Sequence, residues 1–595
     1  MKLNYKRTIL VGFAFFLICA FWQAYDTIIP KILTDKFGMS QTWSGVIMAL
    51  DNVLALFLLP IFGAISDKCK SKRGKRTPFI IIGTMVACCA VLLLAFADSM
   101  QTAKMAQVDP FRDKDAALVT LYEADPVIKA QPDKPVTEKL SKLIDKKDFA
   151  AIKTTESTGE ITSDYRTFVE PALKAAEGRA DLGDLDDLKT KVADGEEKAR
   201  NTLYDTDPVI TATPKKQVES QLHNFISKED FRKITLMEDG KTTDDFDTYV
   251  LTARESYAAG TVKSSPAVLI MFIVVLLILL VAMGVFRSPA VALMPDVTPK
   301  PLRSKGNAII NLMGALGGIL ILVLGIILGT GKVENTVMGF AVFFMIVTAI
   351  MIISLLIFVL TVKEPLWAKE AEETYERYYP EETEREEDTS RKLTKGEKIS
   401  LILILASVAL WFMGYNAVSS KYSVYAGSVL GKDYNLTLMI AQGAAILSYI
   451  PVGFLSSKIG RRKAILIGIG MLTTAFTAAA FVTKNSPDWL MTAMFVVAGI
   501  GWATINVNSF PMVVELATGS KTGRYTGFYY TASMAAQTVT PILSGFFLDI
   551  NMRTLFPYAL IFTGLSFVTM FFVKHGDSKP VKKSALEALG GPEDG

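Results

Sequence analysis

Histidine is nearly absent from this chain: among 595 residues there are two, His223 and His575. Both fall outside the long apolar runs, so no imidazole stands inside a span to relay protons or hold a metal. Cysteine is almost as scarce, at four. Cys19, Cys69, Cys88 and Cys89 lie in or beside apolar runs, none in the long polar tract, which excludes a disulfide framework and Cys/His metal spacing. No Walker phosphate loop and no nucleophile–base pair is present, which argues against an ATP-driven pump and against an enzyme. No cofactor or metal constellation is visible. A net charge of one sign is lacking too: 63 basic against 59 acidic residues leave +4, too little to suggest nucleic acid as a partner.

What the chain has in quantity is apolar sequence, at 50% of residues. Runs near 8–33, 41–65, 77–98, 265–294, 306–330 and 336–362 precede a charged linker, and runs near 399–428, 434–456, 464–483, 488–514, 525–548 and 554–573 follow it. Each is about the 20 residues needed to cross a bilayer as a helix. The dense basic segment Gly63-Ala-Ile-Ser-Asp67-Lys-Cys-Lys-Ser-Lys-Arg73-Gly74-Lys-Arg76 separates two of them, and a weaker copy, Gly453-Phe-Leu-Ser-Ser-Lys-Ile-Gly460-Arg461-Arg462-Lys463, recurs in the second half. Basic turns stay on the cytoplasmic side, and one per half implies two related six-helix bundles. The other basic residues follow the same alternation (Lys2, Lys6 and Arg7; Lys300, Arg303 and Lys305; Lys521 and Arg524; Lys574 and Lys579), which puts both termini in the cytoplasm. The first run has no small-residue cleavage site and continues into Trp22-Gln-Ala-Tyr-Asp26, so it reads as a retained helix rather than a signal peptide.

The expected organisation is an all-α, polytopic membrane protein of two pseudo-symmetric bundles: spans in 1–98 and 265–362, a cytoplasmic linker at 363–398, spans in 399–573 and a cytoplasmic tail at 574–595. The Glu- and Arg-rich linker reads as solvated, with room for an amphipathic helix on the membrane. Residues 99–264 form an extracytoplasmic insert holding a tandem repeat. Thr120-Leu-Tyr-Glu-Ala-Asp125-Pro126-Val-Ile128 returns as Thr202-Leu-Tyr-Asp-Thr-Asp207-Pro208-Val-Ile210, Asp148-Phe149 as Asp230-Phe231, and Tyr165-Arg-Thr-Phe168-Val169 as Phe246-Asp-Thr-Tyr249-Val250. Such register predicts two copies of one folded unit, and Val136, Leu140, Leu143 and Ile144 have helical spacing, so two small helical modules side by side are expected. They would bind glycan, shape access to the mouth, or serve only structure.

The basic loop resembles the signature of the major facilitator superfamily. Its longer form, Pro60-x-x-Gly63-x-x-x-Asp67 through Arg73-Gly74-Lys75-Arg76-Thr77-Pro78-Phe79-Ile80, resembles the glycoside–pentoside–hexuronide:cation symporters and the sucrose transporters. Arg287-Ser-Pro-Ala-Val-Ala-Leu-Met-Pro-Asp296 and Trp411-Phe-Met-Gly-Tyr415-Asn416-Ala fit the same branch, whereas 99–264 has no counterpart in it. The resemblance implies a secondary transporter of the plasma membrane, symporting a glycoside or disaccharide with H⁺ or Na⁺. It also implies acidic coupling residues in the first two helices and a substrate-linked arginine on the fourth. A sugar sensor reading ligand through the repeats, or a carrier of another solute, are the alternatives. A monomer is expected.

Ionisable residues inside apolar runs are costly, so each is a functional candidate. Asp26 precedes Pro30, which leaves the Asp26 carbonyl without its helical donor. Asp51 lies about 12 Å below the outer boundary and Arg287 about 10 Å above the cytoplasmic one, with Lys421 at a similar depth from the outside. Two carboxylates and two cations look electrically balanced, with Asp26 and Lys421 partly wetted at the outer mouth. The functional reading makes Asp51 or Asp26 the ion site and has Arg287 and Lys421 bind sugar hydroxyls; the structural one is a fixed interhelical ion pair. Sugars stack on aromatic rings and hydrogen-bond to amides, and Trp22, Gln23, Tyr25, Trp411, Tyr415, Asn416, Trp502, Asn506 and Asn508 supply both. Asp67, Arg73, Arg76, Asp296 and Glu515 lie at cytoplasmic helix ends, where ion pairs would hold the inner side shut.

Overall fold

A computed structural model describes residues 3–124, 146–155, 161–162, 164–176, 185–206, 228–238, 241–299, 302–378, 394–514, 516 and 522–575. It divides into two compact units, one of residues 1–102 with 265–595 and one of residues 103–264. Glu515 and the residues at 136, 140, 143 and 144 lie outside the described residues.

In chain order the helices are α1 (Tyr5–Lys31), α2 (Gln41–Asp67), α3 (Thr77–Met105), α4 (Lys114–Ala124), α5 (Lys146–Ala151), α6 (Glu170–Ala176), α7 (Leu185–Ala193), α8 (Glu197–Thr206), α9 (Lys228–Lys233) and α10 (Thr252–Ser264). They continue as α11 (Ala267–Asp296), α12 (Arg303–Leu328), α13 (Ala341–Thr361), α14 (Glu364–Tyr378), α15 (Lys395–Tyr425), α16 (Tyr434–Ile459), α17 (Arg461–Ala480), α18 (Asp488–Val514), α19 (Thr522–Ile550) and α20 (Leu555–Phe571). Among the described residues, 10 helices are long and apolar enough to cross a membrane.

Local chemistry sets the ends of the long helices. Asn4 caps α1 by accepting from the Arg7 amide, and Ser40 caps α2 by accepting from Trp43 N at 3.3 Å. α15 opens on a capping box, Thr394 with Glu397, in which each side chain satisfies the other's backbone. Pro30 lies in the last turn of α1, and the chain passes directly into a π-helical turn at Ile32–Lys36. The packing pattern repeats between the halves: α1 lies against α12 and α13 as α15 lies against α19 and α20, and α2 against α11 as α16 against α18. The two halves meet along α2–α19, α12–α16 and α1–α15. The linker holds the amphipathic helix α14, which buries Glu364, Trp367 and Ala371 while Leu366 stays exposed.

In the second unit the two sequence copies do not form one module each. Residues 146–206 close one hydrophobic core, in which Phe149, Tyr165 and Val169 of the first copy pack with Leu203 and Tyr204 of the second. The Phe149 and Tyr204 rings meet edge-on at 5.4 Å. Conversely, Tyr122 of the first copy meets Phe231 of the second at 5.6 Å, and α4 packs on α9 and α10. Each module therefore joins the start of one copy to the end of the other. Buried Arg200 ties the first module by donating to the carbonyls of Val192 and Ile152 and to Thr154 Oγ1. A two-residue hairpin pair, β1 (Met237–Glu238) with β2 (Lys241–Thr242), completes the second module.

Candidate transport site

Helix α1 turns Cys19, Trp22, Gln23 and Asp26 through successive turns of one broad face. The Arg287 guanidinium, from α11, lies over the Trp22 ring with its carbon 5.6 Å from the centroid. Its charge acts on both Asp26 and Asp51, and the two carboxylates act on each other. Asp51 also accepts from Asn52 Nδ2 at 2.8 Å. Trp22 and Tyr25 meet edge-on at 5.3 Å, and both the indole N–H and the phenol hydroxyl are buried without a hydrogen-bond partner among the described residues. The structure thus brings Asp26, Asp51, Arg287, Trp22 and Tyr25 into one cluster, with Gln23 beside it.

The second half contributes a different wall. Tyr415 stacks flat on Trp502, centroids 3.7 Å apart and planes 5° from parallel, and Phe412 closes on Trp502 edge-on. Asn416 spends its Nδ2 on the Phe412 carbonyl at 2.9 Å, and Asn506 bonds the Tyr449 hydroxyl. Three expected substrate contacts fall elsewhere. Trp411 is fully buried in the second-half core, in one cluster with Val408, Phe476 and Leu555. Asn508 donates to Ser456 Oγ and the Thr504 carbonyl, an interhelical tie between α18 and α16. Lys421 is not wetted but 1% exposed, and its Nζ donates to the Gln41 carbonyl and Oε1 at 2.9 and 3.3 Å. The expected balance of two carboxylates with two cations is therefore corrected: Lys421 belongs to another site, and among the described residues Arg287 is the cation that acts on Asp26 and Asp51.

Gln442, on α16, was not legible as a site residue. A Cβ built on Gly318 of α12 would lie 2.9 Å from Gln442 Nε2 and 3.5 Å from Gln23 Oε1, so the two amides converge on that glycine from opposite halves.

At the basic end, Arg76 gathers a network. Its guanidinium donates to Asp296 at 2.8 Å, Asp67 at 2.5 Å and Ser66 Oγ at 2.5 Å. Burial works against its charge, and the two carboxylates outweigh it and hold the pKa above the ordinary value. Glu364, at the start of α14, accepts from the backbone N–H of Arg76 and Thr77 and from the Thr77 hydroxyl, capping α3. Gly74, at φ +112°, lies against this carboxylate, where a Cβ would come within 2.3 Å. Asp67 pairs with Arg76 as expected, and Asp67, Arg76 and Asp296 join α2, α3 and α11, all before the linker. Arg73 is exposed and makes no ion pair among the described residues.

The bonds between the halves gather at the opposite end. The Asp549 carboxylate, ending α19, accepts from the backbone N–H of Gln41 and Thr42 at 2.6 and 2.9 Å and from the Thr42 hydroxyl at 2.5 Å, so it caps α2 from across the bundle. Lys421 grips the same turn. Nearby, Lys31 donates to the Thr330 carbonyl at 2.9 Å, and Asn435 and Tyr434 of α16 both reach Thr330 Oγ1. This end is clasped shut.

Charged side chains grouped inside a helical bundle, between one clasped end and one basic end, define a multi-pass membrane transporter rather than an enzyme. The chain belongs to the Major Facilitator Superfamily, whose family model matches residues 254–448 and 431–591, and a second model, MFS/sugar transport protein, matches 10–108. Sucrose transport protein SUC4 of Arabidopsis thaliana is 34% identical over 63 residues, 11% of this chain and 12% of that protein. SUC3 of the same plant is 37% identical over 68 residues, 11% of each chain. The chain thus spans about a tenth of the length of these curated relatives. The inward-open xylose transporter XylE from E. coli has the same fold, with TM-score 0.53 at 11% identity, covering 98% of this chain and 99% of that one.

Proposed function

We propose that this chain is a plasma-membrane symporter that brings in a neutral glycoside or disaccharide, of the sucrose or maltose kind, together with H⁺ or Na⁺. Its architecture is read as twelve spans in two related bundles, with the basic end and both termini cytoplasmic, the insert outside and the protein monomeric. The observation that carries the coupling is a charge count. Among the described residues, Asp26 and Asp51 share a single guanidinium, Arg287, once Lys421 is occupied at Gln41. An uncompensated charge near the bilayer centre costs about 3 kcal/mol, so the ionised cluster favours uptake of one cation or proton. Arg287 over Trp22 offers N–H donors to sugar hydroxyl oxygens beside an aromatic face, which suits a sugar. The sucrose relatives and the sugar-transport family match support the substrate class. With the far end clasped, substrate exchange runs through the cytoplasmic side, and release of the clasp would open the other side.

The test is uptake of radiolabelled sucrose, maltose and methyl glucosides into proteoliposomes under imposed proton or sodium gradients. Accumulation above the outside concentration supports the reading. Saturable binding without uptake would favour a sensor, and neither would favour another solute.

A further inference from the structure

Gln442, from the second half, approaches Gln23 of the first-half site across Gly318. Its Oε1 is buried without a hydrogen-bond partner among the described residues, as are Trp22 Nε1 and the Tyr25 hydroxyl. An unpartnered buried acceptor is costly, and such groups in a native protein are normally completed by a ligand or water. Gln442 approaches Gln23 only because position 318, between them on α12, carries no side chain. The unpartnered set contains an indole donor, a phenol that donates or accepts, and an amide acceptor. A hydroxylated neutral ligand matches all three, because each hydroxyl both donates and accepts. A carboxylate or phosphate could engage the donors but would leave Gln442 Oε1 unsatisfied and would meet Asp26 and Asp51.

We propose that Gln442 accepts a hydrogen bond from one substrate hydroxyl while Gln23 holds the neighbouring part of the same ring. The pair makes the substrate a bridge between the halves and selects neutral polyols over acidic sugars. The inference rests on the sugar reading above and deepens it. It also gives the far-end clasp a partner deeper in the bundle: a ligand held by both halves favours the arrangement in which α12 and α16 lie together.

The experiment uses the full chain in proteoliposomes and sucrose, maltose, methyl α-glucoside and glucuronate as probes, followed by monodeoxy analogues of the best of them. Gln442→Leu keeps the size and removes the acceptor. It is expected to raise the half-saturating concentration of the best sugar at least tenfold and to erase discrimination against one monodeoxy analogue, leaving discrimination at the other positions. Gln442→Glu, which keeps an acceptor, should retain that positional discrimination. Gly318→Ala favours the helix and should fold, yet should weaken uptake of the same sugar severalfold by pushing the amides apart. Unchanged affinity and discrimination in Gln442→Leu overturns the inference while leaving the symporter reading standing. A uniform loss against every analogue also overturns it, since that is what a purely structural role would give. Absence of saturable uptake of any probe by the unaltered protein overturns both.

Discussion

Among the described residues Asp26 and Asp51 face one arginine, and the consequence of substitution differs between Asp51 and Arg287. Asp51→Asn removes the excess negative charge and keeps the site's shape, so gradient-driven accumulation is expected to fall at least tenfold while sugar exchange down its own gradient continues. Uptake and counterflow measured on the same vesicles check this. Arg287→Lys replaces a planar fork by a point charge, and the apparent affinity for sugar is expected to weaken about tenfold, read from uptake kinetics. At this scale the sequence was legible where charge interrupts apolar sequence. Asp26, Asp51 and Arg287 stood out because such residues are costly in a span. Gln442 did not, because an amide among apolar residues is equally an interhelical tie, as Asn508 proves to be. Glu364 was hidden for another reason: it begins an acidic linker, and nothing in its neighbours distinguishes it from the other glutamates. Lys421 was legible as a charge within a span and expected partly wetted, but it is buried on the Gln41 carbonyl, a backbone partner that sequence cannot display.

Between elements, the far end depends on one turn of α2 held by α15 and α19. Lys421→Met removes the bonds to Gln41 and leaves Asp549 in place. Losing a helix-end contact of this kind costs about 1 kcal/mol, which shifts an open-to-closed ratio roughly fivefold. The readout is labelling of Cys19, which lies near Arg287, by a membrane-impermeant maleimide added outside, with Cys69, Cys88 and Cys89 replaced by Ser. Labelling is expected to speed up severalfold. At the basic end, Gly74→Ala forces a Cβ into Glu364 at a positive φ, and thermal stability is expected to fall by several degrees in detergent. The long helices were legible as apolar runs between basic turns, and among the described residues 10 are long and apolar enough to cross a membrane. The seam was not: the motif around Asp67 and Arg76 predicted ion pairs correctly, but whether a pair bridges halves or braces one half depends on packing direction.

For the whole molecule, the insert shows how a repeat can mislead. Copies in register suggest one module per copy, yet one core forms between the end of the first copy and the start of the second, and Tyr122 at the start of the first packs on Phe231 near the end of the second. Residues 146–206, expressed alone, should therefore show cooperative helical melting by circular dichroism, while 114–176, which holds most of one sequence copy, should not. The repeat was visible because its residues recur. The pairing was not, because similar copies can pair within or between themselves. Joining Thr102 to Ser265 through a short Gly/Ser link keeps the buried Lys36–Asp98 pair and the Phe340 N–H bond to Asp98. Uptake by that shortened chain is expected to stay within severalfold of the parent, measured in the same vesicles.

The most direct test of the account is the charge carried with each sugar. Sugar-evoked current and radiolabelled uptake, measured together on vesicles of the unaltered protein and of Asp51→Asn, give that ratio. The account predicts about one positive charge per sugar for the unaltered protein, the excess set by two carboxylates against one guanidinium, and none for Asp51→Asn. Sugar entry without charge movement in the unaltered protein, or an unchanged current in Asp51→Asn, would contradict it.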